Sequence, residues 1–387
     1  MALEAHVSRM ESRIETQAGS DVGIVRHVEA LGALEAAWDE INDPAHPGAP
    51  FRSYAWLATW WKSFSVRGEP AVLVARDGRR IVGILPLYLE PLPLGGQRAR
   101  MIGDRFVGSD YLGIVSRAAD APRVAHRFAG ALRALRASEL VLDDLAEDEP
   151  LARAIYAARL EVRYPCPQVR IDGDFETYLR ERPGGVGPQW HRRRRWLERR
   201  PGYRFEVLAE PDEVARGMEI LFDLHRRRWA LEGGSDGIRT PAVEAFHRES
   251  SRGLAARGWA RVFVLHADGA PRAGLYGFRH GRRFSFYQAG HDPEWRVRSV
   301  GTVLLGLILE QCFAEGLEEF DFLHGDEAYK LSWANAERHT VRVRMSSPGV
   351  RPWLREHWRG MDRLARKVAK QVLPERMSHW LRKKLAS

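Results

Sequence analysis

The hydrophobic and polar positions of the chain switch between a period of two and a helical period, and the switches divide it into elements. Ile24–Val28 predicts a strand, after which Leu31, Leu34, Trp38 and Ile41 fall on one face of a helix. Pro44–Pro50 interrupts the pattern as a loop. Ser53 then stands where it can cap a helix over Tyr54–Phe64, whose tryptophans at 56, 60 and 61 are core positions. AVLVARDGRRIVGILPLYLE is a hairpin with Asp77-Gly78 at its turn. An extended DYLGIVS, a helix near Arg123–Ala137, a strand Leu140–Leu142, a helix near Leu151–Arg159 and a strand Gln168–Ile171 follow. Helices over Gln189–Arg200, Asp212–Leu231 and Pro241–Arg257 lead to a second hairpin, RVFVLHADGAPRAGLYGFRH, turning at Asp268-Gly269. After it come the alternating strand FSFYQ and a helix over Thr302–Phe313 with Val303, Leu304, Leu307, Ile308, Gln311 and Cys312 at helical spacing. The strands Glu318–Phe322 and His339–Met345 close the series.

The same order of elements occurs twice, which predicts a duplicated α/β unit. The expected division is a flexible leader at 1–20, one unit at 21–172, a second at 173–348 and a tail at 349–387. In the tail, Leu354, Trp358, Met361, Leu364, Val368 and Val372 recur every three to four residues, with Lys and Arg on the other faces. That is a basic amphipathic helix, suited to an anionic membrane surface or an acidic partner such as an acyl carrier protein, or to packing on the second unit.

With 387 residues, 44% of them hydrophobic, the chain can bury two ordinary cores. No apolar run is long enough to span a bilayer and the N-terminus lacks a signal-peptide apolar region, so the expected location is the cytoplasm, with the tail touching the inner membrane. The charge of +9 sits almost wholly in the tail, where Val350–Ser387 holds eleven Lys/Arg against three Asp/Glu. A nearly balanced body argues against a nucleic-acid binder as a whole. Cys166 and Cys312 read as two reduced thiols, and no metal-ligand spacing is present.

Between the FSFYQ strand and its helix lies RVRSVG. There Arg296, Arg298, Ser299, Val300, Gly301 and Thr302 form a basic loop running into the first turn of a helix, whose unpaired N–H groups and dipole favour an anion. A helix capped by Ser299 beside two solvated arginines would give the same pattern. Arg296-x-x-Ser299-x-Gly301 resembles the pyrophosphate loop of GNAT-superfamily acyltransferases, with Ser299 in place of the first glycine. FDFLHGDEAYKLSW, together with LHRRRW at Leu224–Trp229 and FRSYAWLATWW at Phe51–Trp61, resembles the CelD-like family of these enzymes, named for cellulose-biosynthesis loci. Its Asp-Phe-x-x-Gly and Tyr-Lys elements are also similar to the Fem-type aminoacyl-transferases. The resemblance implies an α/β fold of tandem GNAT-like domains, each a mixed, splayed sheet flanked by helices. It implies acyl-CoA held by the second copy, since the matching stretch of the first, SRAADAPRV, lacks the loop. His324 stands where an arginine or a small polar residue is expected.

Acyl transfer from a thioester to an amine needs a polarised carbonyl, a proton acceptor for the amine and a proton donor for the thiolate. Backbone N–H groups around Tyr287–Gly290 are placed to polarise the carbonyl. Asp326 and Glu327, adjacent on a turn, are the candidate base, and Tyr329 the candidate acid. The resemblance assigns Lys330 to a phosphate or the acyl oxygen; without it, Asp321 and Asp326–Lys330 would read as an ion-pair turn. His225, sharing a helical face with Leu221 and Trp229, is a core histidine or an acceptor-cleft residue. Tyr287, Asp292, Asp321 and His324 complete the candidate substrate contacts. QWHRRRRWLERR could contact tRNA or an acidic carrier, or present solvated arginines above an inward Trp190 and Leu197.

The function expected is therefore acyl-CoA-dependent N-acylation of an amino sugar, amino acid or small peptide in polysaccharide or cell-envelope synthesis. The alternatives are a Fem-type transferase using aminoacyl-tRNA and a catalytically degenerate scaffold.

Overall fold

The computed structural model of the protein describes residues 14–16, 21–64, 66–93, 95–155, 158–232, 238 and 240–346. The basic tail lies outside them. Ile14–Thr16, inside the leader expected to be flexible, pairs with Val22–Val25 as a short strand.

The second hairpin forms where the pattern places it. Strand Ala260–Ala267 pairs with Ala270–His280 from Ala267↔Ala270 onward, leaving Asp268-Gly269 as the turn. Both turn residues have positive φ, 50° and 74°, the geometry whose twist matches that of the strands.

In chain order the strands are β1 (Ile14–Thr16), β2 (Val22–Val25), β3 (Glu69–Pro70), β4 (Val72–Asp77), β5 (Arg80–Leu85), β6 (Leu87–Pro91), β7 (Gln97–Met101) and β8 (Glu139–Ala146). They continue as β9 (Arg159–Arg170), β10 (Arg204–Leu208), β11 (Ala260–Ala267), β12 (Ala270–His280), β13 (Arg283–His291), β14 (Glu319–Asp321) and β15 (Ala336–Ser346). Among the described residues they form a four-stranded sheet, β1-β2-β4-β5, and an eleven-stranded one, β10-β11-β12-β13-β14-β9-β15-β8-β7-β6-β3. The pairs β13/β14 and β7/β8 are parallel and the rest antiparallel.

Two features depart from the expected elements. Pro86, with no N–H to offer a ladder, separates β5 from β6, and the chain changes sheets there. The helix expected near Leu151–Arg159 ends at Ala154, and Arg159 begins the twelve-residue β9.

The large sheet runs through both repeats. β15, from the end of the second, lies between β8 and β9 of the first, and β9 also pairs with β14 through Gln168–Arg170.

Alternate residues of β11 serve two cores, as a period of two requires. Val262 and Val264 face the core shared with the first repeat and with the helices Pro211–Glu232 and Pro241–Ala256; Phe263 and Leu265 face the core under helix Val300–Ala314. Trp190, from helix Val186–Glu198, is fully buried in the second core, and its indole N–H donates to the Val303 carbonyl at 3.2 Å. Helix Tyr54–Ser63 starts at Ser53, whose hydroxyl accepts from the Trp56 N–H at 3.2 Å. Both cysteines are buried and free. Among the described residues no helix is long and apolar enough to cross a membrane.

Candidate functional site

The sheet opens after Ser285. β13 pairs with β14 only through Arg283–Ser285 and continues to His291 without that neighbour. The register with β12 slips between Tyr276 and Gly277, so that Tyr287 is an extra residue, a bulge that turns backbone groups out of the ladder. The Tyr287 hydroxyl donates to the Val107 carbonyl, and its ring lies among Phe51, Trp56, His247, Tyr276 and Phe278 with centroids 5.3–5.9 Å away. The side chain is therefore an anchor for the 104–116 loop as well as a wall of the opening.

Beyond β13, Asp292 caps the short 3-10 turn Pro293–Arg298, accepting from the Glu294 N–H at 3.2 Å. Its buried carboxylate pairs with Arg272 at 2.7 Å and Arg227 at 3.1 Å, which fixes the entry to the loop. Ser299 adopts a left-handed conformation, φ 55°, and makes no side-chain cap; helix Val300–Ala314 begins with Val300 buried and Gly301 exposed. Arg296 and Arg298 are exposed, and the Arg298 guanidinium lies 4.5 Å above the Trp196 ring. A Cβ placed on Gly301 would meet nothing closer than the His291 Nδ1 at 4.0 Å, so the side of the helix at Gly301 is clear.

A second polar cluster lies where the repeats meet. Asp110, from the first, and His324, from the turn after β14, join across the seam: the Asp110 oxygens lie 2.7 and 2.9 Å from His324 Nδ1, and the His324 backbone N–H donates to the same carboxylate at 3.0 Å. That carboxylate holds the imidazole up to about 9. Burial pushes the nearby Asp144 carboxyl up to about 7, against the pull of Arg163 3.3 Å away. Burial likewise pushes Asp321 up to about 7; it accepts from Tyr111 at 2.9 Å and from the Leu323 N–H at 2.7 Å, and pairs with Arg338 at 3.3 Å.

Three non-glycine residues here have positive φ: Tyr111 at 56°, Asp144 at 57° and Leu323 at 57°. Such conformations cost energy and collect at functional sites. The β9 prolines contact the same turn. Pro165 and Pro167 cannot donate, and their carbonyls take the N–H groups of Gly325 and Phe322 at 3.0 Å each.

Residues 189–331 match the family model described as an acetyltransferase (GNAT) domain. A comparison with curated proteins finds no match in sequence. Among solved structures, the chain is similar in fold to FemX, with a TM-score of 0.58 at 10% identity, over 81% of this chain and 95% of that one. It is also similar to the C-terminal domain of an Agrobacterium fabrum protein described as a lysylphosphatidylglycerol synthetase (TM-score 0.54, 15% identity, 81% of this chain, 91% of the other). A third is L-PGS from Bacillus licheniformis (TM-score 0.52, 14% identity, 87% and 96%). The fold is α/β, a large mixed sheet flanked by helices.

Within the matched segment lie the basic loop from Arg296 to Thr302, the Tyr287 bulge and the turn carrying His324. Tyr329, 45% exposed, stands on the short helix Ala328–Trp333 with its ring 6.4 Å from Phe286, next to the opening. Asp326 and Glu327 are exposed, so desolvation is not available to either. Lys330 is buried instead: its ammonium donates to the His324 carbonyl at 2.8 Å and pairs with Glu327 at 3.0 Å, holding the turn. His225 is buried on helix Pro211–Glu232, where a Cβ on Gly290 would come within 3.0 Å of its backbone nitrogen. It lies close to His247, which burial pushes down to about 3. The structure thus joins Lys330 to the His324 carbonyl and sets the Tyr329 ring beside Phe286 of β13, while Tyr287 reaches the Val107 carbonyl and the loop from Arg296 to Thr302 follows the end of β13.

Asp110, Tyr111 and Asp144 lie outside the matched segment, and nothing along the chain marks them as neighbours of His324 and Asp321. The signal available was the polar, glycine-rich run GDRFVGSDYLG between apolar strands.

Proposed function

We propose that the protein is an N-acyltransferase that moves an acyl group from acyl-CoA to an amine acceptor, in the manner of the CelD-like enzymes. One observation carries this: the sheet opens at a backbone bulge, Tyr287, directly before a basic loop that ends in an open helix start. Arg296, Arg298 and the N–H groups from Val300 to Thr302 would hold the pyrophosphate, and the residues present fit it, since Ser299 is left-handed and the front of Gly301 is clear. The backbone at Tyr287–Gly290 would polarise the thioester carbonyl, and Tyr329 would protonate the leaving thiolate. The acceptor, an amino sugar, amino acid or peptide amine, would enter at the seam between the repeats, with cell-envelope or polysaccharide synthesis as the setting.

A second reading is aminoacyl transfer from tRNA. It is favoured by the folds of FemX and of the lysylphosphatidylglycerol synthetase domain, the latter described by a name that joins an amino acid to a phospholipid. Among the described residues no carboxylate pairs with Arg192, Arg193 or Arg195, which leaves them available to a polyanion.

Calorimetry separates the two. Coenzyme A is expected to bind the purified protein in the micromolar range, and the double variant Arg296→Ala/Arg298→Ala to bind at least about tenfold more weakly, as the loss of charge-assisted hydrogen bonds implies. Absence of binding in the parent would sink the acyl-CoA donor and leave the tRNA donor.

A further inference from the structure

We infer that His324, held by Asp110 across the seam between the two repeats, is the group that takes the proton from the acceptor amine. This rests on the acyl-transfer reading, and it places the base on a histidine and a partner carboxylate instead of on Asp326 and Glu327.

The geometry is that of an oriented base. Asp110 is 2% exposed as a side chain and spends both oxygens on Nδ1 and the backbone N–H of His324, so the ring cannot turn and Nδ1 carries the fixed hydrogen. Nε2 is left as the titrating edge. The side chain is 41% exposed, and among the described residues nothing bonds to Nε2. The pair lies near the hydroxyl end of the Tyr287 side chain: the Val107 carbonyl takes the Tyr287 hydroxyl, and a Cβ on Gly108 would lie 3.4 Å from His324 Cε1. Lys330 holds the His324 carbonyl from below. Asp326 has no such holder among the described residues, and the carboxylate of Glu327 is occupied by Lys330.

The step balances as follows. An acceptor ammonium gives one proton to the Nε2 lone pair of neutral His324, while the Nδ1 hydrogen stays on its bond to Asp110. The freed nitrogen lone pair attacks the thioester carbon; the C–N bond forms and the C–S bond breaks. The thiolate takes a second nitrogen proton, passed through the Tyr329 hydroxyl. His324 returns its proton to water, so one proton is released per amide.

Every charged element packed on His324 bears on its titration. Asp110 of the 104–116 loop and Asp144 of β8 raise it, Lys330 of the short helix and burial lower it, and Tyr164 of β9 covers one side with its ring centroid 5.4 Å away, under Arg163. With the imidazole held up to about 9, about one molecule in a hundred has the free lone pair at pH 7, and the rate rises about tenfold per pH unit towards 9.

The test uses the full chain and two readouts. In the first, NMR of histidine-labelled protein follows the His324 ring against pH in the parent and in Asp110→Asn. The expected result is titration well above the ordinary imidazole range in the parent and a return towards that range in the variant. Ordinary titration in both would overturn the pair. In the second, thiol release from acetyl-CoA is followed with D-glucosamine as the acceptor probe. His324→Ala is expected to lose about 10²–10³-fold in kcat, with coenzyme A affinity kept and part of the rate restored by added imidazole. Asp110→Asn is expected to move the rising limb of kcat/KM to lower pH, which the acceptor's own titration cannot do. A His324→Ala protein with the parent's rate and pH profile overturns the inference even if coenzyme A binds. Should the NMR result hold while coenzyme A does not bind, only the donor assignment fails, and the same variants decide the inference with an aminoacyl-tRNA donor.

Discussion

At pH 8 the Asp144→Asn protein is expected to be more stable than the parent, by about 2–4 kcal/mol or a few degrees in Tm. Below about pH 4 the difference should vanish, since an unfolded aspartate near its ordinary value is protonated there as well. Asp144 is pushed up to about 7 by burial, with Asp110 and Asp143 adding to the shift and Arg163 opposing it. The folded state therefore binds a proton that the unfolded state has already lost between about pH 4 and 7. A group raised in this way stabilises the fold below the unfolded value, and that contribution disappears as pH climbs through the folded one. Above it, the protein carries a largely buried carboxylate ion whose Oδ1 has the 3.3 Å ion pair with Arg163 but no hydrogen bond. Asparagine is neutral throughout and accepts the positive φ of 57° at this position. Arg163 keeps Asp143 as a partner. Thermal unfolding of both proteins from pH 4 to pH 8 decides it. A parent whose stability is flat across that window, or a variant less stable at pH 8, would show that Asp144 is ionised and satisfied in the folded state.

Gly306→Ala should destabilise the protein by about 2 kcal/mol or more, although alanine is the better helix former by about 1 kcal/mol. Gly306 lies inside helix Val300–Ala314, and a Cβ there would come within 2.0 Å of Trp190 Nε1, with two further indole atoms at 2.4 and 2.6 Å. Trp190 is fully buried against Phe175 and bonded to the Val303 carbonyl, so the ring has nowhere to go. The helix must shift instead. Its first turn is the proposed pyrophosphate site, so coenzyme A affinity is expected to fall together with Tm. Chemical denaturation and calorimetry on the same samples measure both. A variant as stable as the parent would mean that the helix packs further from Trp190 than described.

Much of the fold was readable from local pattern. The hairpin at Asp268-Gly269, the helix expected over Thr302–Phe313 and found over Val300–Ala314, the cap at Ser53 and the inward Trp190 and Leu197 all follow from interactions within a few residues or from a single periodicity. The basic run at the start of helix Val300–Ala314 is local in the same way, because it belongs to consecutive residues. Other features depend on partners distant in sequence. That Lys330 would turn inward to the His324 carbonyl, or that Asp292 would be consumed by Arg272 and Arg227, cannot be read from the turn or the strand that carries them.

The acceptor side shows the division most plainly. The sequence presents Asp110 in a glycine-rich run and His324 in a polar turn more than two hundred residues later, with no periodicity linking them. They meet because β15 inserts between β8 and β9, and β9 pairs with β14, which draws the end of the second repeat into the sheet of the first. By itself the sequence determined the elements, their turns and their caps, each set by short-range sterics and side-chain period. The tertiary structure alone decided which charges would be buried together at the seam, because desolvation and pairing depend on what lies across the sheet and not on what lies along the chain.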